Sequence, residues 1–310
     1  MALRATIQLC TYNRAALLER VLEGCFEQTV PGNAYEVVVV NDGSPDDTRT
    51  VTDRARERAT CAFTVIEQRN TGLARARNAG IACSRGERII FIDDDVLPTP
   101  AFVEEHLRTH DAVPAAIVRG AVINTASFDV LPPPVWSLKN YSGNYFWTSN
   151  VSLPRLTLER AGGFTETFTE YGWEDIELGL RLRALGVPSR FNARAVAFHY
   201  KPPPKATSLE GMLRQARAQA RTAVQLGALH PHWRVTLATG DHRILRAAAN
   251  AAHAAGLGRI AARAVNVNAT ELPLNGRERI AASIVASLAY YEELERAHRE
   301  GVERVPRAGA

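Results

Sequence analysis

The sequence is poor in cysteine: Cys10, Cys25, Cys61 and Cys83 are the only four in 310 residues, and no two are spaced as a CxxC pair. They are expected to be free, mostly buried thiols of a reducing cytoplasm. On that reading the sequons at Asn150 and Asn268 carry little weight. Long apolar runs are also missing. Stretches such as Tyr35–Val40 and Arg88–Ile92 are far too short to span a bilayer. The N-terminus enters a strand-like segment almost at once, so no signal peptide is expected. Apart from the last few residues, no long segment has the composition of a disordered chain. The net charge of +4 is unevenly placed. From residue 203 onward there are 15 Arg/Lys against 9 Asp/Glu, while the residues before it are slightly acidic. The basic part lacks interleaved aromatics and its arginines are diluted by alanine, which argues against nucleic acid as a partner.

What is present is alternation. Arg4–Cys10, Tyr35–Val40, Phe63–Gln68 and Arg88–Ile92 have the apolar character of strands. Tyr35–Val40 is a continuous β-branched run, the pattern of a strand buried on both faces. Between them, Ala15–Gln28 repeats apolar residues at helical spacing, Asp46–Ala59 is a polar helix and Leu73–Cys83 a third helix. Strands and helices alternating on a period of about 30 residues predict βαβ units and a parallel sheet. In such sheets the ligand crevice lies outside the carboxyl ends of the strands. All four predicted strands end there in polar residues: Thr11-Tyr12-Asn13-Arg14, Asn41-Asp42-Gly43-Ser44, Asn70-Thr71-Gly72 and Asp93-Asp94-Asp95.

The last group stands out because adjacent carboxylates raise one another's pKa unless a cation or hydrogen bonds compensate. Oxygen-rich clusters suit hard divalent ions such as Mg²⁺ or Mn²⁺, often shared with a substrate phosphate. A solvated turn is the plain alternative.

After Pro98 the pattern changes. A helix over Phe102–Thr109 and a strand over Ala116–Ile123 lead into a Pro- and aromatic-rich loop over 124–150, a length that usually signals function. Val151–Pro154 is a short strand, Leu156–Ala161 a helical turn and Gly162-Gly163-Phe164 a tight turn. Trp173–Leu185 is a helix whose Ile176, Leu178, Leu180, Leu182 and Leu185 are expected to pack inward. Val187–Phe191 and Ala195–His199 are read as two strands, and Pro202-Pro203-Pro204 as a boundary. Helices over 206–230, Ile244–Ala264 and Arg277–Arg304 follow as an extension. Two readings of that extension stay open. It completes a core or forms a homodimer, or it docks on a membrane surface through Arg214, Arg217 and Arg221 beside Met212 and Leu213.

The ordered set Cys10-Thr11-Tyr12-Asn13-Arg14, Asn41-Asp42-Gly43-Ser44, Asn70-Thr71-Gly72-Leu73-Ala74-Arg75-Ala76-Arg77-Asn78-Ala79-Gly80 and Asp93-Asp94-Asp95 resembles family 2 glycosyltransferases. Gly162-Gly163-Phe164 and Gly172-Trp173-Glu174-Asp175 fit the acceptor half of that family and look like the chondroitin polymerase and β-1,4-galactosyltransferase groups. The resemblance covers roughly residues 4–200. It implies an α/β, GT-A nucleotide-binding fold with a mainly parallel sheet flanked by helices, plus a C-terminal helical extension. The catalytic domain would be 1–202, with a nucleotide-binding half (1–97) and an acceptor half (98–202), and the extension 203–310.

The resemblance also implies roles. Asp95 would be the metal ligand of a DxD pattern, completed by His199 and holding Mn²⁺ or Mg²⁺. Asp93 and Asp94 would face the ribose and metal-bound water. Thr11, Tyr12 and Asp42 would hold the base: the ring can stack and the carboxylate can accept from a base N–H, which uracil and thymine both offer. Asn70 and Gly72 belong to the same donor site. Arg14 and Arg75 would contact diphosphate or donor sugar, while Arg77 and Asn78 are read as anchors of their helix. Trp173 would offer a flat face to an acceptor sugar and Glu174 would hold it by hydrogen bonds. Asp175 would be the catalytic base, kept ionised at neutral pH by the helix N-terminus.

The implied activity is direct, inverting transfer of a single sugar from a UDP- or dTDP-sugar to a hydroxyl of a glycan, lipid-linked sugar or natural product. A QxxRW-type motif, found in processive members, is missing; His232-Trp233-Arg234 is the nearest run. The competing classes are a sugar-phosphate nucleotidyltransferase, whose Gly-rich loop Cys10–Leu17 does not supply, and a non-catalytic nucleotide-sugar-binding module. The expected location is the cytoplasm, with the inner membrane face as the place of any peripheral contact.

Overall fold

The computed structural model describes residues 3–140, 143–205, 208–265 and 273–301. Asn268, Tyr141 and the expected helix ends at 206 and 304 lie outside them. The chain divides into two compact units, Met1–Thr169 with Glu174–Pro202, and Glu170–Trp173 with Pro203–Ala310.

The first unit opens with the expected alternation: β1 (Ala5–Thr11), α1 (Ala15–Phe26), β2 (Tyr35–Asn41), α2 (Thr48–Arg58), β3 (Ala62–Glu67), α3 (Leu73–Cys83) and β4 (Arg88–Phe91). It continues with β5 (Val96–Pro98), α4 (Phe102–Ala112), β6 (Ile117–Thr125), β7 (Val151–Pro154), α5 (Arg155–Ala161), α6 (Glu174–Ala184) and β8 (Ser189–Tyr200). One sheet holds these strands in the order β3-β2-β1-β4-β7-β6-β8-β5. The β1, β2, β3 and β4 pairings are parallel, as is β6 with β8. The pairs β4–β7, β6–β7 and β5–β8 run antiparallel, so the sheet is mixed. Its helical cover and the helical extension agree with a GT-A architecture.

Period-two alternation explains why the central strands read as solid apolar runs. On β4, Ile90 packs with Leu18, Val21, Val37 and Phe102 on one face, while Ile89 and Phe91 pack with Phe146, Phe164, Leu178 and Leu182 on the other. Every residue of β2 is buried.

Several expectations change. The two strands expected over 187–191 and 195–199 are one, β8 (Ser189–Tyr200), because the extra residues fit as a bulge: Gly120 pairs with Asn192, but Ala121 with Val196. A Cβ on Gly120 would lie 2.3 Å from the Ala195 carbonyl oxygen, so only glycine fits there. Leu185 is half exposed rather than packed inward, since it follows the last turn of α6. Cys83 is exposed, Cys10 and Cys61 are partly buried, and only Cys25 is fully inside. Strand β5 is too short to have been read from the sequence. Asn150 is buried; its amide donates to the Ala121 and Ala195 carbonyls, which rules it out as a surface sequon.

In the second unit α7 (Leu209–Leu229) packs on α11 (Gly276–Glu300) through Ala220, Ala223 and Val224 against Leu294 and Ala297. Between them lie α8 (Trp233–Thr239), α9 (Arg243–Ala254) and α10 (Leu257–Ala264). The single helix expected over 244–264 is broken at Gly256, whose φ of +74° suits glycine. A capping box opens α11: Asn275 Oδ1 accepts from the Glu278 N–H at 3.1 Å, and Glu278 Oε2 accepts from the Asn275 N–H at 2.8 Å. Among the described residues, no helix is long and apolar enough to cross a membrane.

A buried polar network ties α4 to the sheet. His106 lies 2.8 Å from Ser152 Oγ and 2.9 Å from Asn150 Oδ1, and His110 Nε2 lies 2.8 Å from the same hydroxyl. Burial pushes the imidazoles down, His106 to about 4 and His110 to about 3. Both folded values lie below the unfolded value of 6.5. Above that pH both states are neutral. Below it the unfolded chain takes up protons that the folded chain refuses, so this pair's contribution to stability is lost as the pH falls. In an NMR titration the His106 and His110 rings are expected to stay neutral down to about pH 5. Protonation of either ring above about pH 6 would contradict the neutral pair.

Candidate active site

Three groups of side chains gather at the carboxyl ends of β1, β2 and β4 and beside them. The first is built on Asp42, which is buried at the end of β2. Its Oδ1 accepts from the Thr71 N–H at 3.0 Å and from Gln68 Nε2 at 2.7 Å, and its Oδ2 accepts from the Gly72 N–H at 3.1 Å. The carboxylate therefore folds the 70–72 loop back against the strand, and Gly72 takes a φ of +94° to start α3. Asn70 is exposed on that loop. A Cβ on Gly43 would come within 2.8 Å of the Asn70 nitrogen, so the two loops approach closely. Thr11 is buried, and Tyr12 beside it is 48% exposed, its ring free for stacking. Asn13 takes a left-handed φ of 57° and donates its N–H to Ser44 Oγ at 3.0 Å, which joins the β1 and β2 loops.

The second group is the acidic one. Arg14 donates to Asp94 Oδ1 at 3.0 Å and to Asp95 Oδ2 at 2.6 Å. Strand β5 turns the chain back along β8, pairing Val96 with His199, and the Tyr200 N–H donates to the Asp95 carbonyl at 2.8 Å. That register sets His199 Nε2 3.7 Å from Asp95 Oδ1. Burial pushes Asp94 up to about 6, against the opposing charge of Arg14. Burial acts on Asp95 in the same sense, but the neighbouring His199 and Arg14 outweigh it and hold that carboxyl below its usual range. Burial also disfavours charge on Arg14, yet the two aspartates raise its pKa.

The third group centres on Arg77, which is buried on α3. Its guanidinium donates to Glu174 Oε1 at 2.7 Å, to Asp93 Oδ1 at 3.3 Å and to Thr148 Oγ1 at 2.6 Å, and lies over the Phe164 ring at 5.2 Å. Ser149 donates to the other Asp93 oxygen at 2.6 Å. Despite burial, Glu174 and Asp93 raise the pKa of Arg77. Glu174 Oε2 is buried without a hydrogen-bond partner among the described residues, an acceptor left open. Asp175 follows as the second residue of α6, with Oδ1 accepting from the Ile176 N–H at 2.7 Å. Burial, then the charge of Glu174, push Asp175 up to about 8. The helix N-terminus was expected to keep this carboxyl ionised at neutral pH; burial and the adjacent glutamate outweigh it.

Two other expected site residues have partners of their own. Arg75 projects to the surface and pairs with Glu166 at 3.4 Å, because α3 turns its buried face to Ala74, Ala76 and Arg77. Trp173 belongs to the second unit: its indole N–H donates to the Gln219 carbonyl at 3.0 Å and its ring packs on the Ala220, Ala223 and Val224 cluster.

Residues 6–158 match the family described as glycosyl transferase family 2. Validoxylamine A glucosyltransferase of Streptomyces hygroscopicus subsp. jinggangensis is 33% identical over 219 residues, which cover 59% of this chain and 52% of the relative. Chondroitin synthase of Escherichia coli is 26% identical over 245 residues, covering 64% of this chain and 35% of the relative. The chain thus spans about half the length, or less, of these curated relatives. A mannosyltransferase from Pyrobaculum calidifontis, solved with GDP-Man and Mn²⁺, is similar with a TM-score of 0.60 and 20% identity, over 98% of this chain and 89% of that one. That likeness is one of fold.

Within the family 2 region, sequence reasoning saw Arg77 only as a helix anchor. Asn78 does anchor: it holds the 163–164 turn, accepting from the Phe164 N–H at 2.8 Å and donating to its carbonyl at 2.9 Å. Arg77, by contrast, joins Asp93, just after β4, to Glu174, at the start of α6. Thr148 and Ser149 went unread as well; the one signal was a polar run placed directly before an apolar strand. Removing one partner of a buried ion pair leaves the other charge uncompensated. Arg77→Met is therefore expected to cost about 3–5 kcal/mol in urea unfolding at neutral pH, and less when combined with Glu174→Gln. Equal costs for the single and double variants would remove the bridge.

Proposed function

We propose that this family 2 glycosyltransferase transfers one sugar, with inversion, from a nucleotide sugar to an acceptor hydroxyl, and that a divalent metal ion takes part. The observation that carries the reading is Asp175: a carboxyl in a largely desolvated place, raised towards neutral pH, beside a clamped glutamate with one open oxygen. A base whose pKa lies near the working pH combines a useful ionised fraction with strong proton affinity. Glu174 Oε2 can accept a hydrogen bond from one acceptor hydroxyl while Asp175 takes the proton of the attacking one. Arg77 fixes Glu174 against Asp93, so the acceptor group cannot drift from the donor side.

On the donor side Tyr12 offers a stacking face and the Asp42 loop a fixed wall, a fit to uracil or thymine. Asp95 and His199 are the residues that would hold Mn²⁺ or Mg²⁺. Among the described residues no group of three or more metal-ligating side chains occurs. A carboxylate and an imidazole therefore leave most of the coordination sphere to substrate phosphates and water, as such ions favour. The Arg14 guanidinium, seated on Asp94 and Asp95, offers a positive charge beside the same place. When bound, the ion would neutralise the departing diphosphate. The acceptor would be a glycan, a lipid-linked sugar or a natural product.

A panel of nucleotide sugars incubated with Mn²⁺ tests the class: one donor is expected to release its nucleoside diphosphate, and chelation is expected to abolish the release. Unchanged turnover after chelation would sink the metal assignment. Asp175→Asn should keep donor binding and lose transfer by about a hundred- to ten-thousand-fold. In the unsubstituted enzyme kcat/KM should rise with pH to a plateau, because only the ionised carboxylate accepts a proton. The midpoint is expected well above the ordinary carboxylate range, towards 8. A midpoint near about pH 4 would exclude a buried carboxyl as the base.

A further inference from the structure

The second unit leaves α9 and α10 almost uncovered. No residue of α9 is buried, and Ala261 alone is buried on α10. On α9 the half-covered positions Arg246, Ala249 and Ala252 recur every third residue, so Ile244, Ala247, Ala248 and Ala251 fall on the opposite, exposed face. Ile244 is 71% exposed, and Ile260 on α10 is 61% exposed. On α8, Trp233 and Leu237, one turn apart, are 65% and 73% exposed. An amphipathic helix normally spends its apolar stripe on a core. Here Trp233, Leu237, Ile244 and Ile260, all large and apolar, look outward instead.

Charge identifies what covers them. From His230 to Val265 the sequence holds five arginines and four histidines against one acid, Asp241. That acid is taken: His298 lies 2.8 Å from it and Arg246 3.5 Å. Among the described residues, no ion pair engages Arg243, Arg259 or Arg263, and Arg259 and Arg263 sit one turn apart beside Ile260. Uncommitted arginines flanking exposed Ile, Leu and Trp make up the chemistry of helices that lie in the headgroup layer of a bilayer. A second copy of the same face would bring like charges together.

We propose that α8, α9 and α10 dock the protein on an anionic phospholipid surface. Trp233, Leu237, Ile244 and Ile260 enter the headgroup–acyl boundary, and Arg243, Arg259 and Arg263 pair with lipid phosphates. This moves the membrane face away from α7, where the sequence alone suggested it. There Arg221 is committed to Glu170 and Glu293, Arg214 to Glu210, and Met212 packs against Ala261 and Ala281.

The test is co-sedimentation of the full chain with vesicles of phosphatidylcholine alone and of equimolar phosphatidylcholine and phosphatidylglycerol, at low and high salt. Binding is expected only with the anionic vesicles, falling as salt rises. Arg259→Ala with Arg263→Ala should weaken partition about five-fold for each arginine removed. Ile244→Asp with Ile260→Asp should weaken it at least as much, with the far-ultraviolet circular dichroism unchanged. Three results would overturn the proposal: no binding to the anionic vesicles at low salt, binding indifferent to both double variants, or a concentration-dependent dimer that Ile260→Asp dissolves, which would give the face to a second copy.

Discussion

One guanidinium ties three distant parts of the first unit to one another. Arg77 is buried, and a buried cation persists only if its surroundings supply compensating charge and hydrogen bonds. Asp93, Glu174 and Thr148 do so from three distant parts of the chain. The arrangement runs in both directions: the acids keep Arg77 charged, and Arg77 keeps two acids in fixed places. Replacing the cluster by apolar residues would not by itself destabilise the fold. Its presence is better explained by what it positions. The carboxyl end of β4 supplies Asp93, and the start of α6 supplies Glu174, with Asp175 next to it in the chain.

The three adjacent aspartates divide accordingly. Asp93 turns to Arg77 and Ser149, while Asp94 and Asp95 turn to Arg14. Their mutual repulsion is relieved by two different arginines on two different helical approaches, one ahead of α1 and one within α3. A triple acid that looks redundant in a one-dimensional reading therefore serves two separate neighbourhoods.

The nucleotide-binding half was legible because its signals are local. Apolar runs of strand length, helical periodicity and polar residues at the strand ends all fall within single βαβ units, and the structure keeps them in place. Legibility failed where partners are far apart. Three residues, Val96–Pro98, are too few to show a period, and they form a strand only because β8 lies alongside. The bulge opposite Gly120 depends on how close the Ala195 carbonyl comes, which no local pattern records. Gly256 is hidden in an alanine-rich stretch whose helical periodicity continues across it. Asp175 shows the limit most clearly. Its place at a helix start is visible in sequence, but the burial that outweighs the helix field is set by packing.

The short β5–β8 pairing also has a consequence for how the molecule comes into being. Residues of the base-binding side meet neighbours from adjacent units, so their loops close early and at small entropic cost. Asp95 and His199 meet only after the intervening chain, about a hundred residues long, has folded into place, and contacts of such separation form late. A partly folded or partly synthesised chain would therefore possess the Asp42 loops before it possesses the acid–imidazole pair.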